Sequence, residues 1–186
     1  MTPKRQFYLM GWITLLVFPA PALWALWYFK GINPHEIIAL HELSSPLILV
    51  GLELGLIYAL FALAVSRHPY FEEMSHKQEK VLKSLRLNWI DILFISLCAG
   101  IGEELLFRAG IQYWLGPWLT STLFVALHGY IHPLSLKKSV YGLLILPFVL
   151  ILAFAYESYG LWFCIAAHFS YDLLLFRVFA LQQRSN

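Results

Sequence analysis

The sequence predicts an all-α, polytopic transmembrane bundle of about six spans. Three observations carry that expectation. Of 186 residues, 60% are apolar and only 13% are charged, against roughly 45–50% and 25% in soluble globular proteins. The mean hydropathy is +0.67. The apolar residues gather into runs long enough to cross a hydrocarbon core, which takes about 20 residues of helix. A soluble domain of this size leaves too much of its surface in water to hide so much apolar area. The composition therefore excludes an ordinary soluble enzyme and a disordered tail. A net charge of +2 is too small to suggest a polyanion, so no nucleic-acid partner is expected.

The predicted spans follow in order. The first covers 7–29, behind a basic start containing Lys4 and Arg5; the second covers 46–65; the third, a long one, covers 89–115. Gly116-Pro117 breaks it, since Pro lacks a backbone N–H and Gly relaxes the chain. A short fourth span covers 118–131, the fifth 140–156 and the sixth 160–181. All must be helical, because an open strand in lipid leaves its backbone polar groups unpaired. Trp24, Trp27, Trp89, Trp118 and Trp162 fall near span ends, where amphipathic rings belong. The polar stretch 66–88, with Glu72, Glu73, Lys77, Glu79, Lys80, Lys83 and Arg86, reads as a solvated linker helix. One membrane domain, 1–186, is expected: 1–88 holds two spans and the linker, 89–181 the half that carries the ionisable clusters.

Basic residues set the orientation. With the N-terminus inside, the inner segments hold Lys4, Arg5, Arg67, Lys77, Lys80, Lys83, Arg86, Lys137, Lys138 and Arg184, while the outer connections hold Lys30. This asymmetry predicts both termini in the cytoplasm and a multi-pass plasma (inner) membrane protein. Lys4-Arg5, an apolar stretch and Ala20-Pro21-Ala22 imitate a signal peptide, but the apolar run continues to Phe29, as a retained anchor would. Cys98 and Cys164 lie in apolar runs and read as small buried hydrophobes.

An ionisable side chain at membrane depth costs at least about 2–3 kcal/mol, so each one is a candidate for function. They are Glu53, Asp91, Glu103, Glu104, Arg108, His128, His168, Asp172 and Arg177. Asp91 and Arg177 fall near the inner interface, where snorkelling is cheap. Glu104 and Arg108 are spaced i,i+4 and can pair along one helix face. Glu103 lies about 100° round the helix, which leaves it free. A carboxylate partly withdrawn from water can act as a general base near neutral pH. The same three residues could equally form a structural ion-pair network.

Depth narrows the choice. Glu103 is about 20 Å before Gly116, and His128 about 16 Å after Pro117, at 1.5 Å per residue. His168 and Asp172 lie about 12 and 18 Å past Gly160 and share a face. Four ionisable side chains from three helices thus reach one layer, as the parts of a catalytic site would.

Glu103-Glu104-x-x-x-Arg108, Phe124-x-x-x-His128 and His168-x-x-x-Asp172 stand in this order on separate predicted helices. The set resembles the Abi family, also called the CAAX protease and bacteriocin-processing family, whose pattern is EExxxR, FxxxH and HxxxN or HxxxD. The likeness covers about 89–177. It implies a glutamate-dependent intramembrane endopeptidase of the CAAX prenyl endopeptidase type acting on a membrane-anchored polypeptide, with no cofactor. Carried over by position, Glu103 and His128 activate water, His168 and Asp172 bind the oxyanion, and Glu104 and Arg108 hold the site together. The prenyl endopeptidases carry Asn where this chain has Asp172, and an ionised Asp cannot donate a hydrogen bond; Asp172 would instead orient His168 and keep it protonated. Six spans also fall short of the family's eight-helix form.

Other chemistries fit less of the sequence. Zinc could in principle bind Glu103, His128, His168 and Asp172. The His35-Glu36 and His41-Glu42 pairs are spaced wrongly for a zinc-protease helix and read as an outer-loop surface. Cys164 and His168 are i,i+4 and could form a thiol–imidazole pair, which leaves the acidic cluster unused. Rhomboid-type and aspartyl intramembrane signatures are absent from the sequence. Glu53 could pair with Arg108, line a substrate path or bond a neighbouring helix; His132 and Tyr130 read as interfacial. Two non-peptidase readings compete: a non-catalytic bacteriocin-immunity or scaffold protein of the same fold, and a small transporter using the polar layer as a proton relay.

Overall fold

The apolar runs form helices throughout the described residues, 2–71 and 85–181, of the computed structural model. Helix α1 (Pro3–Trp12) passes through a π-helical turn (Ile13–Val17) into α2 (Pro19–Lys30). A short α3 (Pro34–Ile38) and a 3₁₀ turn (Leu40–Ser44) lead to α4 (Leu47–Ser66). After a 3₁₀ turn (Pro69–Phe71), α5 (Trp89–Glu104) continues through a second π segment (Leu105–Ile111) into α6 (Gln112–Leu127), and α7 spans Leu136–Leu181. Most of the linker predicted over 66–88, with Glu72, Glu73, Lys77, Glu79, Lys80 and Lys83, lies outside the described residues, as does Arg184.

Both predicted turns fall on glycine. Gly116 (φ 72°, ψ 172°) and Gly160 (φ 80°, ψ 178°) interrupt α6 and α7. These dihedrals lie in a region open essentially to glycine alone, so each glycine reverses the chain. Phe107 and Phe124, on opposite sides of Gly116, meet with ring centroids 4.8 Å apart. Phe148 and Tyr171, on opposite sides of Gly160, stack at 4.9 Å, and the Cys164 thiol donates to the Leu152 carbonyl at 3.3 Å. Each long helix is therefore a hairpin.

Among the described residues, three helices are long and apolar enough to cross a membrane: Pro3–Lys30, Leu47–Ser66 and Leu136–Leu181. The chain is a membrane protein. Lipid supplies no hydrophobic drive between helices, so close contact of small residues must. Gly51 and Gly55 of α4 lie against the backbone of Phe163 and Ala167 in α7, and Gly102 of α5 against the backbone of Thr14. A side chain at any of the three would separate the helices. α5 begins on a capping box: Asp91 N–H donates to Asn88 Oδ1 at 3.0 Å, and Asn88 N–H donates back to Asp91 Oδ2 at 2.8 Å. The fully buried Asp91 also pairs with Lys4 at 2.6 Å and accepts from the Tyr8 hydroxyl. The N-terminal helix is thus tied to α5 by charge as well as by packing. Asp91 thus belongs to a buried clamp rather than reaching outward on its own.

Candidate active site

The i,i+4 step from Glu104 to Arg108 produces the predicted pair, with Arg108 Nε donating to Glu104 Oε2 at 3.0 Å and both side chains fully buried. Arg108 also lies over the Phe124 ring, 5.8 Å from its centroid. This follows from the Gly116 hairpin, which sets Phe124 opposite Arg108. One turn on, His128 closes α6. Its ring stacks on Phe124 at 4.2 Å, and its Nδ1 bonds the Phe124 carbonyl at 2.8 Å. The carbonyl can only accept, so Nδ1 carries the proton and Nε2 is turned inward.

His128 Nε2 lies 3.4 Å from Glu103 Oε2. From the Gly160 hairpin, His168 brings Nε2 to 4.0 Å from the same Glu103 oxygen and to 3.6 Å from Asp172 Oδ2. Glu103, His128, His168 and Asp172 therefore share one layer. Their cavity, about 490 Å³, is walled by Phe124, Ile145, Tyr171, Phe176 and other apolar side chains. Glu103 and Asp172 keep 16% and 17% of their side-chain surface exposed and His128 36%, so these three are open to the cavity while Glu104 and Arg108 behind them are sealed.

A second carboxylate also holds the ring of His168. It is Glu104: His168 Nδ1–H donates to Glu104 Oε1 at 2.8 Å. Glu104 thus spans Arg108 with one oxygen and His168 with the other. Asp172 faces the other nitrogen of that imidazole, at a longer distance. Spacing on one helix predicts the Glu104–Arg108 pair, but nothing in the sequence signals a bond to a residue 64 positions away.

Other expectations are corrected as well. Glu53 is exposed on α4 and does not meet Arg108. Tyr130 is no mere interfacial residue: it lines the cavity, with its ring parallel to His128 at 6.5 Å. Thr14, from the N-terminal half without motifs, lines the cavity too. A lone threonine in an apolar run was its only signal. His35, Glu36 and His41 are exposed at the surface, while Glu42 is half-buried against Gly160. Cys98 and Cys164 are buried free thiols, and the bonds of Cys164 to Leu152 and of His168 to Glu104 leave no thiol–imidazole pair.

Fold and site define a helical membrane protein with a carboxylate–imidazole layer enclosed between its helices. Residues 85–174, which hold all four members of that layer, match the family model described as type II CAAX prenyl endopeptidase, Rce1-like. Over that segment the chain is similar to the CAAX protease and bacteriocin-processing family, a family of proteases. No curated protein and no solved structure matches it.

Proposed function

We propose that the protein is an intramembrane endopeptidase that hydrolyses a peptide bond of a membrane-associated or C-terminally tagged polypeptide. The observation that carries this reading is that two imidazole nitrogens from different helices approach one Glu103 oxygen, at 3.4 and 4.0 Å, beside a partly open cavity. A water bonded to Glu103 Oε2 and His128 Nε2 is held by two groups able to take its proton. Its oxygen attacks the scissile carbonyl carbon as Glu103 or His128 accepts that proton. Negative charge develops on the carbonyl oxygen, and protonated His168 answers it by donating from Nε2. Collapse breaks the C–N bond, and the proton taken from water passes to the leaving amine.

Glu104 and Arg108 act behind this layer. Glu104 fixes the ring of His168 and offsets its positive charge, and Arg108 compensates the charge of Glu104. An ionised Asp172 can only accept, so its part is to hold the Nε2–H of His168 in line. The chain is read as one membrane domain of the plasma membrane with about six crossings and both termini cytoplasmic, on the strength of its basic-residue asymmetry. The reaction is read as cofactor-free.

The deciding experiment is cleavage of a membrane-anchored reporter by purified protein in liposomes. Glu103→Gln and His128→Ala should each lower the rate by roughly 10²–10⁴-fold, the usual worth of a positioned acid–base group. Undiminished cleavage by either variant ends the mechanism. Phenanthroline should leave the wild-type rate unchanged; its loss would move the same residues to a zinc mechanism.

A further inference from the structure

A serine or threonine in a helix commonly turns its hydroxyl back to a carbonyl of the preceding turn. Thr122 does so, donating to the Trp118 carbonyl at 2.9 Å, and Ser66 donates to the Leu63 carbonyl at 2.9 Å. Thr14 does not. It stands in the π segment Ile13–Val17, half-buried on the wall of the cavity that holds Glu103 and His128, and its hydroxyl has no partner among the described residues. Its carbonyl is engaged elsewhere. Phe18 N–H bonds the Ile13 carbonyl at 3.1 Å, the next residue is Pro19, which has no N–H to give, and the Thr14 carbonyl lies against Gly102 of α5. That contact sets Thr14 beside the residue that precedes Glu103. Ser96 and Thr120 also leave hydroxyls unpaired, but those side chains are fully buried and beyond the reach of a substrate.

A peptide unit inside a membrane helix has its C=O and N–H bonded within the helix. Water can attack its carbonyl carbon only where that turn has unwound, and the freed backbone groups then need partners, because an unpaired polar group away from water is costly. Most of the cavity wall offers none: Ile95, Ala99, Ile145, Leu175 and Phe176 are apolar. The hydroxyls of Tyr141 and Tyr171 bond each other. Thr14 offers a free donor. We propose that Thr14 is a substrate-binding residue whose hydroxyl donates to a backbone carbonyl in one of the two peptide units flanking the scissile bond. The inference rests on the proposed hydrolysis and adds the form in which the substrate is held: an unwound segment gripped by its backbone. Such a contact is equally strong before and during the reaction, so it sets KM and not kcat.

The test separates binding from turnover. The Glu103→Gln protein in liposomes is titrated with a fluorescent membrane-anchored reporter, with and without Thr14→Val, which keeps the shape of threonine and removes the hydroxyl. Thr14→Val should weaken binding by about fivefold, the worth of one net hydrogen bond, and Thr14→Ser should restore it. In protein that retains Glu103, Thr14→Val should raise KM by the same factor and leave kcat unchanged. Reporters with an ester in place of one or the other flanking amide carry a weaker carbonyl acceptor. At one of the two positions the ester should weaken binding to the protein with Thr14 and have little effect once Thr14→Val has removed the donor. Circular dichroism selects folded variants, and Thr14→Ala takes the place of Thr14→Val if the latter does not fold. Unchanged affinity in the folded variants, a loss that Thr14→Ser does not restore, or ester penalties equal with and without the hydroxyl overturns the proposal. Because affinity is read in Glu103→Gln protein, the contact can fail while cleavage stands, and cleavage indifferent to Glu103 strikes the hydrolytic mechanism alone.

Discussion

Glu104 shows why a buried charge is judged by its partners. The side chain is fully buried, and an unpaired carboxylate there would be very costly. It persists because one oxygen meets Arg108 at 3.0 Å and the other His168 at 2.8 Å. Removing one member of such a set leaves the others uncompensated, which typically costs about 3–5 kcal/mol. Glu104→Ala should therefore destabilise the protein on that scale. Glu36→Gln, on the exposed short helix α3, should stay within about 0.5 kcal/mol, as surface changes do. Denaturant unfolding in detergent measures both. If the two variants match in stability, the central place given to Glu104 is wrong. Half of this arrangement was legible beforehand: the i,i+4 rule reads Glu104–Arg108 off one helix, whereas the bond to His168 depends on how two hairpins dock, and no local spacing encodes that.

At the scale of elements, two glycines do most of the shaping. Gly116 and Gly160 hold φ near 72° and 80° with ψ near 172° and 178°, and a Cβ there costs about 1–3 kcal/mol. Gly31, at φ 69° and ψ 13°, ends α2 in the left-handed region, which Asn tolerates. Gly116→Asn should thus lower stability by about 1–3 kcal/mol, and Gly31→Asn by only a few tenths. Thermal melts of the two variants in one detergent decide the matter, and equal losses would contradict the turn geometry. These turns were readable because Gly-Pro, and Gly between apolar runs, punctuate a helix by local chemistry alone. The π segments at Ile13–Val17 and Leu105–Ile111 were not. A helix takes up an extra residue per turn to suit its neighbours; the first of these segments holds Thr14, which meets Gly102, and the second begins three residues after Gly102. The predicted third span runs on as one helix from Trp89 through this second π segment to the reversal at Gly116, where the predicted fourth begins.

Over the whole molecule, the cavity is assembled from both halves of the chain, although only one half carries motifs. The N-terminal helix delivers Thr14 to the cavity wall. It is held in register by the pairing of Lys4 and Tyr8 with the buried Asp91, and by backbone contact between Thr14 and Gly102. Gly11 presses on Phe94 from the same side. A signal peptide leaves the protein it targets, so a helix that neutralises a buried carboxylate and closes a cavity cannot be dispensable in that way. Cutting after Ala22 would strip Asp91 of Lys4 and Tyr8 and open the cavity beside Ala99 and Glu103. The protein isolated from membranes should therefore carry residues 3–30, and an N-terminal tag should stay with the full-length mass. Recovery of a folded, membrane-embedded species beginning after Ala22 would sink this reading. Asp91→Ala offers a second measure. Without its carboxylate the clamp on the first helix is lost, so limited proteolysis should release residues 3–30 from the variant sooner than from the wild type.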